Sequence, residues 1–178
     1  MITTNRTFIR PIAESDAVSV FNYRSDSVTN KFQGWIPESL EEVLAMIARQ
    51  PQEFNTNDTW YQLVIIETIS NSVIGDIGVH FIGNDGLQCE LGITLQKAFQ
   101  GKGYAKETML AVIDYLFKHL NKHRITTSID PNNVNSIRLM ERIGFRKEAH
   151  FKESISINGE WVDDVVYALL QKEFNLGM

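Results

Sequence analysis

The segment Gln100-Gly101-Lys102-Gly103-Tyr104-Ala105 joins a strand-like run, Glu90 to Leu95, to a long helical pattern of apolar residues. Two closely spaced glycines let the backbone turn tightly, because no Cβ atom stands in the way. The first N–H groups of a helix have no partner within the helix, and the helix dipole adds partial positive charge there. A strand, a glycine turn and a helix in this order therefore predict a phosphate-binding loop.

Two common phosphate-binding motifs do not fit this segment. A Walker-type loop needs Lys and then Ser or Thr after its second glycine, whereas Tyr104 and Ala105 follow Gly103. The dinucleotide fingerprint needs three glycines and a later acidic residue, and only two glycines are present. An ordinary strand-to-helix turn that uses glycine for its dihedral angles remains the alternative.

Composition limits the class of protein. A chain of 178 residues with 43% hydrophobic content predicts one domain over residues 1–178. The net charge of −5 does not favour a nucleic-acid partner. No tract is long enough to span a membrane and the first residues lack the apolar core of a signal peptide, so we expect no membrane partner and a cytoplasmic protein. The single Cys89 cannot form an internal disulfide or, by itself, a zinc site, and no metal is expected.

The remaining hydrophobic patterns give the element order. Downstream of the loop, the helical stripe is followed by a strand that a helical crossover makes parallel to its predecessor. Upstream, three strands joined by short turns predict an antiparallel meander. The predicted strands are Thr7 to Ile12, Trp60 to Ile66, Val73 to Phe81, Leu87 to Leu95, Arg124 to Ile129, and a hairpin of Phe145 to Ile157 and Trp161 to Leu170 around Asn158-Gly159. Together with helices starting near Asp16, Ser39, Gly103 and Ser136, they predict a mixed α/β (α+β) domain with about seven strands.

Two motifs resemble those of a known family. Gln100-x-x-Gly103-x-Ala105 after a strand resembles the acetyl-CoA pyrophosphate loop of the GNAT superfamily of N-acetyltransferases. The stretch Asn133 to Phe145, which ends in Gly-Phe, is similar to the family's later motif. The opening Phe8 to Ile12 and the ending Gly159 to Leu170 are similar to the branch of ribosomal-protein alanine N-acetyltransferases (RimJ/RimL-like). The resemblance implies a GNAT-type fold, a mixed and largely antiparallel sheet with helices on both faces.

The resemblance also implies how acetyl-CoA binds as co-substrate. The backbone amides of the loop would hold the pyrophosphate, the strand before it would pair with the peptide-like pantetheine arm, and the later motif would contact the thiol end. Asn133 has an alternative role as the N-cap of its helix. The implied residues are Ile93, Thr94 and Leu95 for the arm, Gln100 at the loop entrance, Gly101, Lys102, Gly103, Tyr104, Ala105 and Lys106 for the pyrophosphate, and Asn133 and Ser136 for the thiol end.

Acetyl transfer to an amine needs a neutral amine, a polarised thioester carbonyl and a proton for the leaving sulfur. An amine is mostly protonated at neutral pH, since its pKa is about 8 for α-amines and about 10.4 for lysine-type amines, so a base is required. Glu90 is the first candidate for this base and His80 the second, although each also fits a partly exposed strand position. Met140 stands where the family usually has a Tyr that protonates the thiolate, and Met cannot donate a proton. Ser136, a water or bulk solvent would then supply the proton, or the protein is a weak catalyst.

Several further residues are candidates for the acceptor side. Trp35 in a loop, His80, and Tyr167 on the last strand are expected to line the acceptor pocket, although aromatic residues more often belong to the core. Asp76 offers an alternative position beside the groove, and the adjacent Asp163 and Asp164 either attract a cationic amine or form a solvated strand edge.

The sequence therefore predicts an acetyl-CoA-dependent N-acetyltransferase in which a primary amine attacks directly. The acceptor is a protein N-terminus, a polyamine or an aminoglycoside-like small molecule, and the protein is a monomer or a homodimer. The alternative is a non-catalytic module that binds or senses acyl-CoA. A nucleotide-binding regulatory domain is a third interpretation, which leaves the stretch Asn133 to Phe145 unexplained.

Overall fold

The computed structural model describes residues 1–157 and 159–174. Its α-helices are α1 (Ala17–Arg24), α2 (Leu40–Ala48), α3 (Tyr104–Lys118), α4 (Val134–Ile143) and α5 (Gln171–Phe174), and short 3-10 helices cover Glu14–Asp16 and Lys97–Phe99. Its strands are β1 (Ile2–Thr3), β2 (Thr7–Pro11), β3 (Thr59–Glu67), β4 (Ser72–Ile82), β5 (Gln88–Leu95), β6 (Arg124–Ile129), β7 (Arg146–Ile157) and β8 (Glu160–Leu170).

All eight strands belong to one mixed sheet, in the order β1-β2-β3-β4-β5-β6-β8-β7. The predicted antiparallel meander of β3, β4 and β5 is confirmed, as is the parallel pairing of β6 with β5. The sheet has one strand more than predicted, because Ile2 and Thr3 form a short strand that pairs with β2. Two residues are too few to show a period-2 pattern in the sequence.

Helices pack on both faces of the sheet, as predicted. Along β3, side chains alternate between the faces: Leu63 and Ile65 pack with α3 and α4, while Val64 and Ile66 pack with α1 and α2. We call these the α3 face and the α1–α2 face. The continuous apolar run of β3 is explained by burial on both of its sides, which contributes about 1.5–3 kcal/mol for each fully buried Leu, Ile or Val.

The helix ends follow the predicted capping with one difference. Ser39 accepts a hydrogen bond from the N–H of Glu42 at 3.3 Å and begins α2, as predicted. Asp16 precedes α1 but does not cap it: its carboxylate instead binds the Arg10 guanidinium (2.6 and 2.8 Å) and the N–H of Ala13 at 2.8 Å. A charged partner on β2 offers a stronger bond than a helix N–H group.

One opening in the sheet positions the functional site. Strands β5 and β6 pair only from Gln88 to Glu90, opposite Arg124 to Thr126. Beyond that point β5 stays with β4 and β6 stays with β8, so a gap opens between Leu91–Leu95 and Thr127–Ile129. The predicted turn residue Asn158 lies outside the described residues. Within them, no helix combines the length and apolarity needed to cross a membrane.

Candidate active site

The glycine loop ends β5 and begins α3. Gly101 and Gly103 have φ angles of 72° and 86°, in the left-handed region that glycine adopts most easily, and Gly103 is the N-cap of α3. Within the described residues, none of the backbone N–H groups from Gly101 to Lys106 donates a hydrogen bond to a protein acceptor. The loop is exposed to solvent, so these donors are available to an anion, and the α3 dipole favours negative charge there.

Arg6, near the N-terminus, holds this loop in place through its side chain. Its Nη1 donates to the carbonyl of Lys102 at 3.0 Å, while Nε and Nη2 pair with the Glu107 carboxylate at 2.6 Å. The guanidinium also lies 4.2 Å from the centre of the Tyr104 ring. Sequence reasoning missed Arg6, since no local pattern connects a residue to partners almost a hundred positions away.

Two further contacts fix the loop against the sheet. The Gln100 side chain donates to the carbonyl of Leu95 at 2.9 Å, which closes the loop entrance. The Tyr104 hydroxyl donates to the Glu67 carboxylate at 2.5 Å, and this hydrogen bond lowers the pKa of Glu67. Gln100 therefore has a structural partner in addition to the cofactor role predicted for it.

The gap between β5 and β6 continues the site from the loop into the sheet. Ile93, Thr94 and Leu95, the residues predicted to bind the pantetheine arm, form its β5 edge. The Thr94 hydroxyl oxygen is buried and has no hydrogen-bond partner among the described residues. Thr94 lies opposite Asp76, which binds Arg24 of α1, so this hydroxyl is an unsatisfied polar atom on the α1–α2 face beside the gap. At Gly92, an added Cβ would meet no heavy atom within 4 Å.

The N-terminus of α4 carries the two residues predicted for the thiol end. Asn133 caps the helix by accepting from the N–H of Ser136 at 3.2 Å, so its alternative role as an N-cap is confirmed. The Ser136 side chain is half-buried on the first turn. Met140, one turn further, is only 2% exposed and belongs to the core on the α3 face. Met140 therefore packs in the core at the position where the family usually has Tyr.

A row of three side chains crosses the sheet on the α1–α2 face. Trp60 lies opposite His80, and His80 lies opposite Glu90, on neighbouring strands β3, β4 and β5. The rings of Trp60 and His80 are stacked, with centres 4.8 Å apart and an interplanar angle of 9°. The structure thus brings together the two residues predicted as bases. It adds Trp60, which the sequence analysis treated only as part of a strand.

Glu90 is the titratable group with the most distinctive surroundings in this row. It is half-buried, and its carboxylate accepts no hydrogen bond from any described residue. Burial raises the pKa of Glu90, and the nearby Asp164 carboxylate raises it further. A carboxylate with a raised pKa and no structural partner has the properties of a general base.

The other acidic candidates have structural partners. Asp76 is completely buried and accepts hydrogen bonds from Tyr23, Arg24 and Gln62, so it does not lie open beside the groove. Asp164 is buried and accepts from Ser128 at 2.8 Å and from the N–H of Ile129 at 3.1 Å.

Asp163 lies on β8, next to the edge strand β7, and its side chain is partly exposed, in agreement with the solvated alternative. Its partners Lys152, the N–H of Glu153 and His150 lower its pKa, in that order of effect. Asp163 therefore belongs to an exposed charge cluster of the β7–β8 hairpin.

Trp35 lies in the loop between α1 and α2, as predicted, and this loop is well anchored. The guanidinium of Arg24 lies 5.3 Å from the centre of the Trp35 ring, and Arg24 is held in turn by Asp76. The buried Asn30 side chain donates to the carbonyls of Tyr23 and Asp26. The loop therefore presents Trp35 from a fixed backbone.

A cavity of about 660 Å³ lies between α2 and β3, next to this loop. Trp35 and Trp60 both line it. Tyr167 lies on the α3 face instead, 4% exposed, where its hydroxyl donates to Glu141 at 3.1 Å. Because side chains alternate along β8, Tyr167 is apart from the acceptor-side residues with which the sequence analysis grouped it.

Cys89 also belongs to the core rather than to the site. It is completely buried in the core on the α3 face. Burial raises the pKa of its thiol to about 12, so the thiolate that a nucleophile requires is not formed at neutral pH.

The opened strand pair, the donor-rich loop and the half-buried carboxylate together are the arrangement expected of a transferase with a phosphate-bearing donor. A family model described as an acetyltransferase (GNAT) domain matches residues 6–146. This match covers more than half of the chain, so the protein belongs to the GNAT family of acetyltransferases.

Two similar sequences and one similar solved structure support this family assignment. YnaD of Bacillus subtilis, an uncharacterized N-acetyltransferase, is 34% identical over 178 residues, 98% of this chain and 99% of the relative. The ribosomal protein uS5 alanine N-acetyltransferase of Escherichia coli is 26% identical over 186 residues, 99% of this chain and 93% of the relative. The structure of a GNAT-family acetyltransferase from Bacillus anthracis has a TM-score of 0.86 and 30% identity, covering 97% of this chain and 99% of that one. The protein is thus an N-acetyltransferase by family.

Proposed function

We propose that the protein, as one domain over residues 1–178, transfers an acetyl group from acetyl-CoA to a primary amine. The observation that carries this proposal is the gap between β5 and β6. It begins beside Glu90 and runs along β5 towards the glycine loop, so the proposed base and the proposed phosphate site lie at its two ends. A turn used only for its dihedral angles would need no such gap.

The residues present fit acetyl-CoA. The N–H groups from Gly101 to Lys106, which have no acceptor within the described residues, suit a pyrophosphate, and the main chain of Thr94 suits an amide of the pantetheine arm. In this proposal Ile93 and Leu95 supply main-chain partners for the arm, and Asn133 and Ser136 lie beside its thiol end. Acetyl-CoA itself supplies the activated acetyl group.

Glu90 then acts on the acceptor. It takes a proton from the ammonium, directly or through a water, and the neutral amine nitrogen attacks the thioester carbon. The new C–N bond forms as the C–S bond breaks, and backbone N–H groups at the strand gap stabilise the developing charge on oxygen. The Ser136 hydroxyl or a water gives a proton to the sulfur, because Met140 in the core cannot. The second proton, which the nitrogen loses as the amide forms, replaces the one given to the sulfur, and Glu90 releases the first proton to solvent.

Glu90→Gln tests the base, since it keeps the shape of the side chain and removes its basicity. Loss of general-base catalysis is expected to lower kcat/KM about 10²- to 10⁴-fold. In the unmodified enzyme, kcat/KM falls as the pH drops through the pKa of Glu90, which lies above its ordinary value, and the variant lacks this limb. Glu160→Gln, an exposed glutamate at the start of β8, is the matched control. An unchanged pH profile in Glu90→Gln would assign the base to another residue.

Thermal unfolding tests the donor separately from catalysis. A ligand that binds only the folded protein raises the free energy of unfolding by about 2.7 kcal/mol at a hundredfold excess over Kd. Acetyl-CoA is expected to raise the Tm by several degrees and ADP to have a small effect. Equal protection by ADP would favour the nucleotide-binding interpretation.

A non-catalytic acyl-CoA-binding module remains the second candidate, because Met140 removes the usual proton donor. It predicts protection by acetyl-CoA without multiple turnovers on any amine. The name of the Escherichia coli relative supports a protein N-terminus as one acceptor to test. This assignment to the ribosomal-protein branch is part of the proposal.

A further inference from the structure

Asp164 is a buried carboxylate that uses one of its two oxygens within the protein. The residue is 7% exposed, and its Oδ1 accepts from both the Ser128 hydroxyl and the N–H of Ile129. Among the described residues, Oδ2 accepts no hydrogen bond, and no Lys, Arg or His forms an ion pair with Asp164. Oδ2 is still open to solvent, since within residues 1–157 and 159–174 the Thr94 hydroxyl oxygen is the only fully buried side-chain atom without a partner. A buried carboxylate is normally paired or fully hydrogen-bonded, so Oδ2 lacks a donor that a ligand can supply.

Asp164 and Glu90 lie on the same face of the sheet, on the two sides of β6. Their neighbours Val165 and Leu91 belong to the core on the α3 face, so both carboxylates lie on the α1–α2 face. Glu90 is the last residue of β5 that pairs with β6, and Ser128, the partner of Asp164, lies two residues beyond that pair. One strand across and two residues along separate the Cα atoms of Glu90 and Ser128 by about 8 Å. This separation leaves room for one ammonium group between the two carboxylates, at the start of the gap.

The charges of these two carboxylates are not balanced by a cation of the protein. On the α1–α2 face, the titratable group opposite Glu90 on β4 is His80, and β6 carries Thr126 and Ser128 between the two carboxylates. Burial and the Asp164 charge raise the pKa of Glu90, and no described Lys or Arg lowers it. An ammonium group that binds here neutralises part of this negative charge and gives Oδ2 of Asp164 its missing donor.

We propose that Asp164 binds the acceptor ammonium beside Glu90. One N–H of the ammonium donates to Oδ2 of Asp164, and another N–H faces the Glu90 carboxylate. Glu90 takes the proton that faces it, and the freed lone pair of the nitrogen attacks the thioester carbon. Asp164 transfers no proton, and its bond to the remaining N–H holds the nitrogen in the orientation that direct attack requires. This inference rests on the function proposed above and adds a second residue to its acceptor site.

Asp164→Asn tests this role without removing the structural contacts of the side chain. Asparagine keeps the oxygen that binds Ser128 and Ile129 and replaces Oδ2 by an NH2 group, which cannot accept a hydrogen bond. Spermidine, propylamine and a peptide that begins with Ala are assayed with the unmodified enzyme, and the best of the three is used for the variant. The KM for this amine is expected to rise about 10- to 100-fold, the range for one hydrogen bond to a charged group, with an unchanged KM for acetyl-CoA.

The pH profile and the Tm separate this role from a purely structural one. In Asp164→Asn, the limb of kcat/KM that belongs to Glu90 is expected to move to lower pH, because a neighbouring negative charge is lost, while the Tm stays near that of the unmodified enzyme. Asp163→Asn, the same change at the preceding residue of β8, is the matched control and should alter neither KM nor the pH profile, because Asp163 binds Lys152 and His150 instead.

Two results for Asp164→Asn would overturn the inference and leave acetyl transfer intact. The first is an unchanged KM for the amine with an unchanged pH profile. The second is an equal rise in KM for both substrates together with a lower Tm, which would assign Asp164 a structural role. No transfer to any of the three amines by the unmodified enzyme would overturn the proposed function and this inference with it.

Discussion

The donor end and the acceptor end of the proposed site are built in different ways. At the donor end, the geometry comes mainly from consecutive residues: two glycines with positive φ angles and the first turn of α3. At the acceptor end, it comes from side chains far apart in the sequence, such as Arg24 on α1 and Asp76 on β4. The donor end depends on backbone conformation, and the acceptor end depends on buried side-chain partners.

This difference predicts different consequences of mutation. A substitution in the loop changes local backbone angles and hence the affinity for an anion. A substitution in the Arg24–Asp76 pair leaves a charge without its partner inside the protein, so it changes the free energy of unfolding. Three substitutions test this contrast.

The largest effect is expected for Asp76→Ala. It removes the carboxylate that accepts from Tyr23, Arg24 and Gln62, and leaves the Arg24 guanidinium buried and unpaired. Breaking a buried ion pair from one side costs about 3–5 kcal/mol of unfolding free energy. Urea unfolding measures the change through the shift in midpoint at constant slope.

Asp163→Ala provides the control for Asp76→Ala. Asp163 also binds several donors, yet it lies in a solvent-exposed charge cluster with Lys152 and His150, so a much smaller loss is expected than for Asp76→Ala. A double variant, Arg24→Met with Asp76→Leu, replaces both charges by apolar groups and should recover part of the loss. Equal effects of Asp76→Ala and Asp163→Ala would contradict the importance of burial at the acceptor end.

The same contrast explains what the sequence could predict. The meander, the parallel β5–β6 pair, the N-cap at Asn133 and the loop all depend on neighbouring residues or on a simple period, and each was predicted. The stacking of Trp60 on His80 depends on the register between β3 and β4, which no local pattern specifies. The contact of Arg6 with the loop likewise depends on the tertiary fold.

Asp76 and Tyr167, which the structure places away from the predicted acceptor side, show the same limit of prediction from local sequence. Asp76 has polar neighbours in the structure that the sequence places more than ten positions away, so its burial could not be foreseen from β4 alone. Tyr167 alternates with its neighbours on β8, and only the pairing with β6 determines which face receives it. Strand periodicity therefore predicts that residues share a face without predicting which helices cover that face.

An intermediate effect is expected for Gly103→Ala at the donor end. At a φ angle of 86°, the backbone of residue 103 is in the left-handed region, which costs a residue with a Cβ about 1–2 kcal/mol. The added Cβ would also lie 3.3 Å from the Arg6 guanidinium. The loop should relax away from its anion-binding shape and raise the Kd for acetyl-CoA about tenfold, measured by calorimetry. Gly34→Ala is the matched change at the acceptor end, where a Cβ meets no atom within 4 Å. If Gly34→Ala raises the Kd for acetyl-CoA as much as Gly103→Ala does, the geometry of the glycine loop does not determine acetyl-CoA affinity.

The smallest effect is expected for Arg6→Met. This residue combines features of both ends. Arg6 is a long-range side-chain partner, but it acts on the donor loop through the Lys102 carbonyl and Glu107. Its side chain is 41% exposed, so solvent screening limits the loss to about 0.5–1 kcal/mol and the rise in acetyl-CoA Kd to about two- to fivefold. The KM for the amine should not change, and Arg146→Met, in an exposed ion-pair cluster on β7, should change neither constant. A change in the amine KM with an unchanged acetyl-CoA Kd would mean that Arg6 acts at the acceptor end.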